Sequence, residues 1–136
     1  MEVASDPVRA ARPKIMLLED DAAVRRSLQL LFSAHGFDVR AHALGASLLA
    51  DDNVADAACL VADYRVKDID GIAVLARLRA EHWAGPAILV TGFPSDAVRE
   101  RAGQAGYAAV LEKPFRKNVL LETVTRLTGR GPADQS

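Results

Sequence analysis

Three short runs in this chain, residues 15–18, 57–62 and 87–90, carry no charged side chain. Each is too short for an ordinary helix, and a strand that is apolar on both faces must be covered on both. Longer stretches with helical spacing lie between them. Val24, Leu28, Leu31 and Phe32 recur on one helical face, and Ile72, Leu75 and Leu78 do so further on. Buried strands alternating with amphipathic helices need helices on both sides of a sheet, which makes the strands mostly parallel.

The remaining segments complete the pattern. Residues 37–41 alternate apolar and polar, as an edge strand exposed on one face would, and residues 108–111 form a last strand. A weak helix over 44–50 leads into Asp51, Asp52 and Asn53, taken as a solvated loop. Asp21 starts the first helix and Gly36 stops it, Gly71 opens the third, and Ser95 caps a fourth that Gly106 closes. Val119, Leu120, Val124 and Leu127 mark the final helix. The expected fold is a doubly wound (βα)5 sandwich of flavodoxin-like type, with five parallel strands in order 2-1-3-4-5. The folded unit is expected over residues 14–129, between tails 1–13 and 130–136.

Composition narrows the function. A chain of 136 residues with 50% apolar and 26% charged side chains supports one domain with a sizeable core. A net charge of -1 provides no overall field to attract nucleic acid or an anionic membrane. Cys59 is the only cysteine, which excludes an internal disulfide and a cysteine-rich zinc site. No apolar run approaches the roughly 20 residues of a membrane span, and the N-terminus lacks a secretory pattern, so a cytoplasmic location is expected.

Four strands end in side chains suited to chemistry: Glu19 and Asp20, then Asp63, Thr91 and Lys113. In open parallel sheets ligands bind at the carboxyl ends of strands beside the switch point, here between strands one and three. Two like charges ~4 Å apart repel by roughly 4 kcal/mol at an effective dielectric of about 20, so clustered carboxylates call for a cation. All-oxygen ligation points to Mg²⁺. His35, His42 and His82 lack a ligand spacing and are assigned to the surface or to helix ends. Metal, ammonium and hydroxyl together suit phosphoryl transfer to a carboxylate, giving an acyl phosphate. Asp63 stands alone at the centre of this rim and is the chosen nucleophile; Glu19 and Asp20 suit metal holding.

These segments together, Leu18-Glu19-Asp20-Asp21, Val61-Ala62-Asp63-Tyr64-Arg65 with Asp70-Gly71, Val90-Thr91-Gly92 and Glu112-Lys113-Pro114-Phe115, resemble the receiver domain of two-component response regulators. The resemblance spans residues 14 to about 129. It implies that Asp63 accepts a phosphoryl group from a phosphohistidine on a sensor histidine kinase or histidine phosphotransfer protein, or from a small phosphodonor. It implies Mg²⁺ held by Asp20, Asp63 and the carbonyl of Arg65, with Glu19 acting through water. Thr91, Lys113 and the amides of Tyr64 and Gly92 would bind phosphoryl oxygens, and Lys113-Pro114 would be a cis peptide. Such a protein is a signalling phosphoacceptor that catalyses only its own phosphorylation and dephosphorylation. It would work as a stand-alone shuttle, or as a switch or homodimer docking through helix 4, strand 5 and helix 5.

The sequence departs from that family in two places. Val66 and Lys67 stand where Met-Pro is common, leaving a freer φ angle in the loop after Asp63. Val110 replaces an aromatic that swings in many receivers, and Tyr107, three residues earlier, would face the opposite side if both lay in one strand. The response is therefore expected in residues 93–104. Arg65 and Phe93 are expected to shield the phosphoryl group and slow its loss. The alternatives are a Mg²⁺-dependent phosphatase with an aspartyl nucleophile and a flavodoxin-like cofactor-binding module. The former usually has a second acid where Arg65 stands, and the latter needs a phosphate loop that does not follow Leu18.

Overall fold

The structure is a computed structural model that describes residues 12–129. Among these, strands β1 (Lys14–Leu18), β2 (Asp38–His42), β3 (Cys59–Asp63), β4 (Ala87–Thr91) and β5 (Ala109–Glu112) form one parallel sheet in order β2-β1-β3-β4-β5. Helices α1 (Ala22–Ala34), α2 (Gly45–Leu49), α3 (Gly71–Ala80), α4 (Asp96–Ala105) and α5 (Lys117–Thr128) connect the strands and follow the last one. Residues 1–11 and 130–136, where the tails were expected, lie outside the described residues. No helix among the described residues is long and apolar enough to cross a membrane.

The uncharged strand runs serve two cores. Ile15, Leu17, Cys59, Val61, Ile88 and Val90 face α1 and α5, where they meet Leu28, Phe32, Leu120 and Val124. The intervening Met16, Leu18, Leu60, Ala62, Ala87 and Leu89 pack with Leu48, Leu75, Leu78 and Ala102 on the opposite face. Successive side chains of a strand point to opposite sides, so a strand without polar residues fills both layers at once. β2 keeps only half-buried and exposed positions, as an edge strand does. Helix starts follow capping chemistry: Asp21 accepts from the amides of Ala23 and Val24, Asp70 from Ala73, and Ser95 from Val98. Gly106 ends α4 with φ of 111°, a left-handed conformation that costs glycine little.

Three local expectations need correction. The edge strand sits one residue later than expected. The segment after α2 is a 3-10 helix, Asp52–Asp56, because Asp51 accepts from the Asn53 amide and winds the chain. Tyr107 lies before β5 rather than in it, and it enters the same core as Val110, so strand alternation does not separate the two. Its buried hydroxyl donates to the carbonyl of Gly71 at 2.7 Å. Burial pushes that phenol far above its ordinary value of 10.0, so it stays a donor at any ordinary pH.

Candidate functional site

The carboxyl ends of β1, β3, β4 and β5 converge on one rim. Asp63, the last residue of β3, is buried, as are Glu19 and Thr91, while Asp20 is half-buried. The Asp63 carboxylate accepts a hydrogen bond from Lys113 Nζ at 2.9 Å through Oδ2, and Glu19 Oε1 lies 3.4 Å from the same ammonium. Carboxylate oxygens of Glu19, Asp20 and Asp63 all lie within 4.8 Å of one another. Residues 50 and 94 positions from Lys113 are thus brought together by the strand order alone.

Electrostatics follow from this crowding. Burial pushes the Glu19 carboxyl above its ordinary value, against a hydrogen bond from the Asp21 amide to Oε2, and the nearby Asp63 charge raises it further. Burial would lower Lys113, but the hydrogen bond and charge of Asp63, with the charge of Glu19, outweigh it and raise the ammonium above 10.5. Glu19 and Asp63 therefore share one ammonium, and the Asp20 carboxylate beside them adds a third negative charge. The surplus negative charge and the hard oxygen donors fit a divalent ion such as Mg²⁺.

The other expected positions are distributed around this centre. Thr91 is held at the end of β4, where its hydroxyl oxygen accepts from the Phe93 amide at 3.1 Å. Gly92 is exposed, and a Cβ on it would meet nothing within 4 Å. The Tyr64 amide donates to the Val90 carbonyl at 2.9 Å as part of the sheet ladder, so it is engaged rather than free for a ligand. Arg65 is exposed, with its guanidinium carbon 5.7 Å from the centroid of the Phe93 ring. The Lys113-Pro114 peptide is cis.

Sequence reasoning passed over three supporting residues. Arg25 donates to the carbonyls of Glu19 and Asp20, fixing the acidic pair from the first turns of α1. Arg101 on α4 donates to the Tyr64 hydroxyl at 3.1 Å and lies over its ring. Asp68, in the loop after β3, accepts from the amides of Gly45 and Ala46. Arg25 carried a faint signal, a cation placed just after three acids. The other two are contacts between segments far apart in sequence and left none.

The family model of the response regulator receiver domain matches residues 15–125, and the chain belongs to that family. The receivers are modules of two-component signalling proteins. Among curated relatives, the C4-dicarboxylate transport transcriptional regulatory protein DctR of Rhodobacter capsulatus is 33% identical over 110 residues, covering 79% of this chain and 56% of its own. The transcriptional regulatory protein FixJ of Azorhizobium caulinodans is 32% identical over 116 residues, covering 85% of this chain and 55% of its own. The chain thus spans a little over half the length of these relatives. The receiver domain of the Francisella response regulator 1452 superposes with a TM-score of 0.80 at 25% identity, covering 88% of this chain and 98% of that one. The crystal structure of FixJ-N gives a TM-score of 0.76 at 28% identity, with 88% and 95% covered.

Proposed function

We propose that residues 14–129 are a phosphoacceptor receiver in which Asp63 takes a phosphoryl group from a phosphohistidine on a sensor histidine kinase or histidine phosphotransfer protein. The observation that carries this reading is the buried Asp63 carboxylate, bonded to Lys113 and crowded by Glu19 and Asp20. In the transfer, an Asp63 oxygen forms a bond to phosphorus as the phosphorus–nitrogen bond breaks; the imidazole nitrogen keeps that electron pair and takes a proton from water. Lys113 lies within hydrogen-bond reach of the attacking carboxylate and can neutralise phosphoryl oxygens as charge moves onto Asp63. Asp20, Asp63 and the Arg65 carbonyl, with Glu19 through water, would hold Mg²⁺, which when bound supplies charge to the transferred group. Thr91 and the Gly92 amide are assigned to phosphoryl oxygens; the Tyr64 amide joins them only if it leaves Val90.

The response is assigned to α4 and its neighbours, for protein–protein signalling or phosphoryl shuttling. Tyr64, adjacent to the acceptor, already touches Arg101 of α4, and Tyr107 is anchored by its hydroxyl rather than free to rotate. Arg65 and Phe93, which lie against each other, are assigned to shielding the phosphoryl group and slowing its hydrolysis. A homodimer through α4, β5 and α5 is the second mode of output. The protein acts as a signalling partner and not as an enzyme on other substrates. Labelling with acetyl phosphate tests the reading: a Mg²⁺-dependent label on wild type, absent from Asp63→Asn, is expected. A label that survives Asp63→Asn, or that forms equally in chelator, rules it out.

A further inference from the structure

The loop between β3 and α3 carries the acceptor at one end and, two residues on, Arg65, whose carbonyl is assigned to the metal. The Gly71 amide donates to the Tyr64 carbonyl at 2.9 Å and closes the base of the loop. The apex is held by a different element. Both oxygens of the Asp68 carboxylate are used, one accepting from the Gly45 amide and the other from the Ala46 amide, each at 2.9 Å. These amides open α2, whose preceding residue, Leu44, offers no side-chain acceptor. The two bonds hold the Asp68 carboxyl below its ordinary value.

A second contact, independent of that carboxylate, seats the same loop on the same helix. A Cβ built on Gly45 would meet Ile69 Cβ at 3.1 Å, the Ile69 carbonyl oxygen at 3.2 Å and Val74 Cγ2 at 2.9 Å. The backbone of α2 thus lies directly against the loop, while Val66 and Ile69 press inward on the core. A neighbouring Ser or Asp at position 44 could have capped so short a helix locally. A cap drawn from 23 residues away couples two segments instead.

We propose that Asp68 is a positioning residue for the metal site: by clamping the loop to α2, it fixes the backbone that presents the Arg65 carbonyl. The clamp rests on the receiver reading above. It restricts the freedom that Val66 and Lys67 leave in the loop. Two acceptor oxygens are required, and an asparagine supplies one, with its NH₂ facing an amide donor. Asp68→Asn therefore breaks half of the clamp with almost no change in shape.

The test is a Mg²⁺ titration of the unphosphorylated protein, followed by amide chemical shifts around Asp20 and Asp63, on wild type, Asp68→Asn, Gly45→Ala and Asp56→Ala. Acetyl phosphate labelling at limiting and saturating Mg²⁺ runs beside it. Asp68→Asn is expected to raise the Mg²⁺ midpoint on the order of 10-fold, the loss typical of an outer support in a metal site, while labelling at saturating Mg²⁺ reaches the wild-type level. Gly45→Ala, which pushes the loop from the α2 side, shifts the midpoint in the same direction. Asp56→Ala, the exposed partner of Lys14, leaves it in place. An unchanged midpoint in Asp68→Asn overturns the clamp, as does a labelling loss that saturating Mg²⁺ does not restore. A wild type that neither binds Mg²⁺ nor labels at Asp63 removes the receiver reading itself, an outcome distinct from either.

Discussion

Two groups of polar side chains built around carboxylates lie toward the carboxyl end of this sheet, and they are electrostatic opposites. At the edge, His42 Nε2 lies 2.8 Å from Asp51 Oδ2, and its Nδ1 lies 2.9 Å from the Ser47 hydroxyl. The second Asp51 oxygen accepts from both the backbone and side-chain amides of Asn53. The Asn53 amide and then His42 push the Asp51 carboxyl down to about 2. At the centre, Glu19 and Asp63 share Lys113 with Asp20 crowded beside them, and Glu19 is pushed up instead. At the edge each Asp51 oxygen has its own hydrogen-bonding partner, and the group completes a fold. The central one holds more carboxylates than Lys113 pairs with, and crowded charge in a buried place is what separates a site from scaffolding.

Substitutions at matched positions break or sharpen this contrast. Asp63→Asn should abolish Mg²⁺-dependent labelling, whereas Asp51→Asn should label as wild type does. Lys113→Ala should slow labelling by roughly 10²-fold, the loss typical of one aimed donor. Without Mg²⁺ it should also cost about 1–2 kcal/mol in urea unfolding, below the usual figure for a broken buried pair because Lys113 is 31% exposed. Saturating Mg²⁺ should close that gap.

Neutralising one acid in each cluster should have opposite signs. In the absence of Mg²⁺, Asp20→Asn relieves repulsion and should stabilise the fold by about 1 kcal/mol. Asp51→Asn removes a satisfied charge and should destabilise it by about 1 kcal/mol. The Asp51 effect depends on pH. Its folded value is depressed from 3.8 to about 2, so its stabilisation is complete above 3.8 and fades as pH falls through that window. The difference between wild type and Asp51→Asn should therefore shrink as pH falls from 3.8 and vanish only below the folded value of about 2, in unfolding measured across that range. The smallest effect is expected at Arg65 and Phe93, the pair assigned to shielding the phosphoryl group. Arg65→Ala or Phe93→Ala removes an exposed cation–π contact of about 0.5–1 kcal/mol, so the label should decay about 2- to 5-fold faster.

The central cluster was legible in the sequence because each of its members interrupts or terminates an apolar run. A lone acid after six uncharged residues, as at Asp63, has no reason of packing to be there. The strand order followed from the one alternating segment, residues 37–41, which had to lie at an edge. What escaped was chemistry between distant segments. Asp68 looked like one more polar loop residue, since nothing near it in sequence reveals that α2 lacks a cap of its own. Strand alternation separates Tyr107 from Val110 only if both lie in one strand, and Tyr107 sits two positions before β5 begins. Residues 51–53 read as loop in the sequence because their acidity hides the capping role of Asp51.

Gly71 carries a consequence for how this molecule can move. A methyl group on it would lie 2.6 Å from the carbonyl oxygen of Asp63, while its own carbonyl is gripped by Tyr107. The first turn of α3 and the peptide of the acceptor are therefore stacked without a gap, like two links of a chain pulled tight. Gly71→Ala would have to displace Asp63 or lift the helix, and a backbone displacement of Asp63 toward α3 would push that helix.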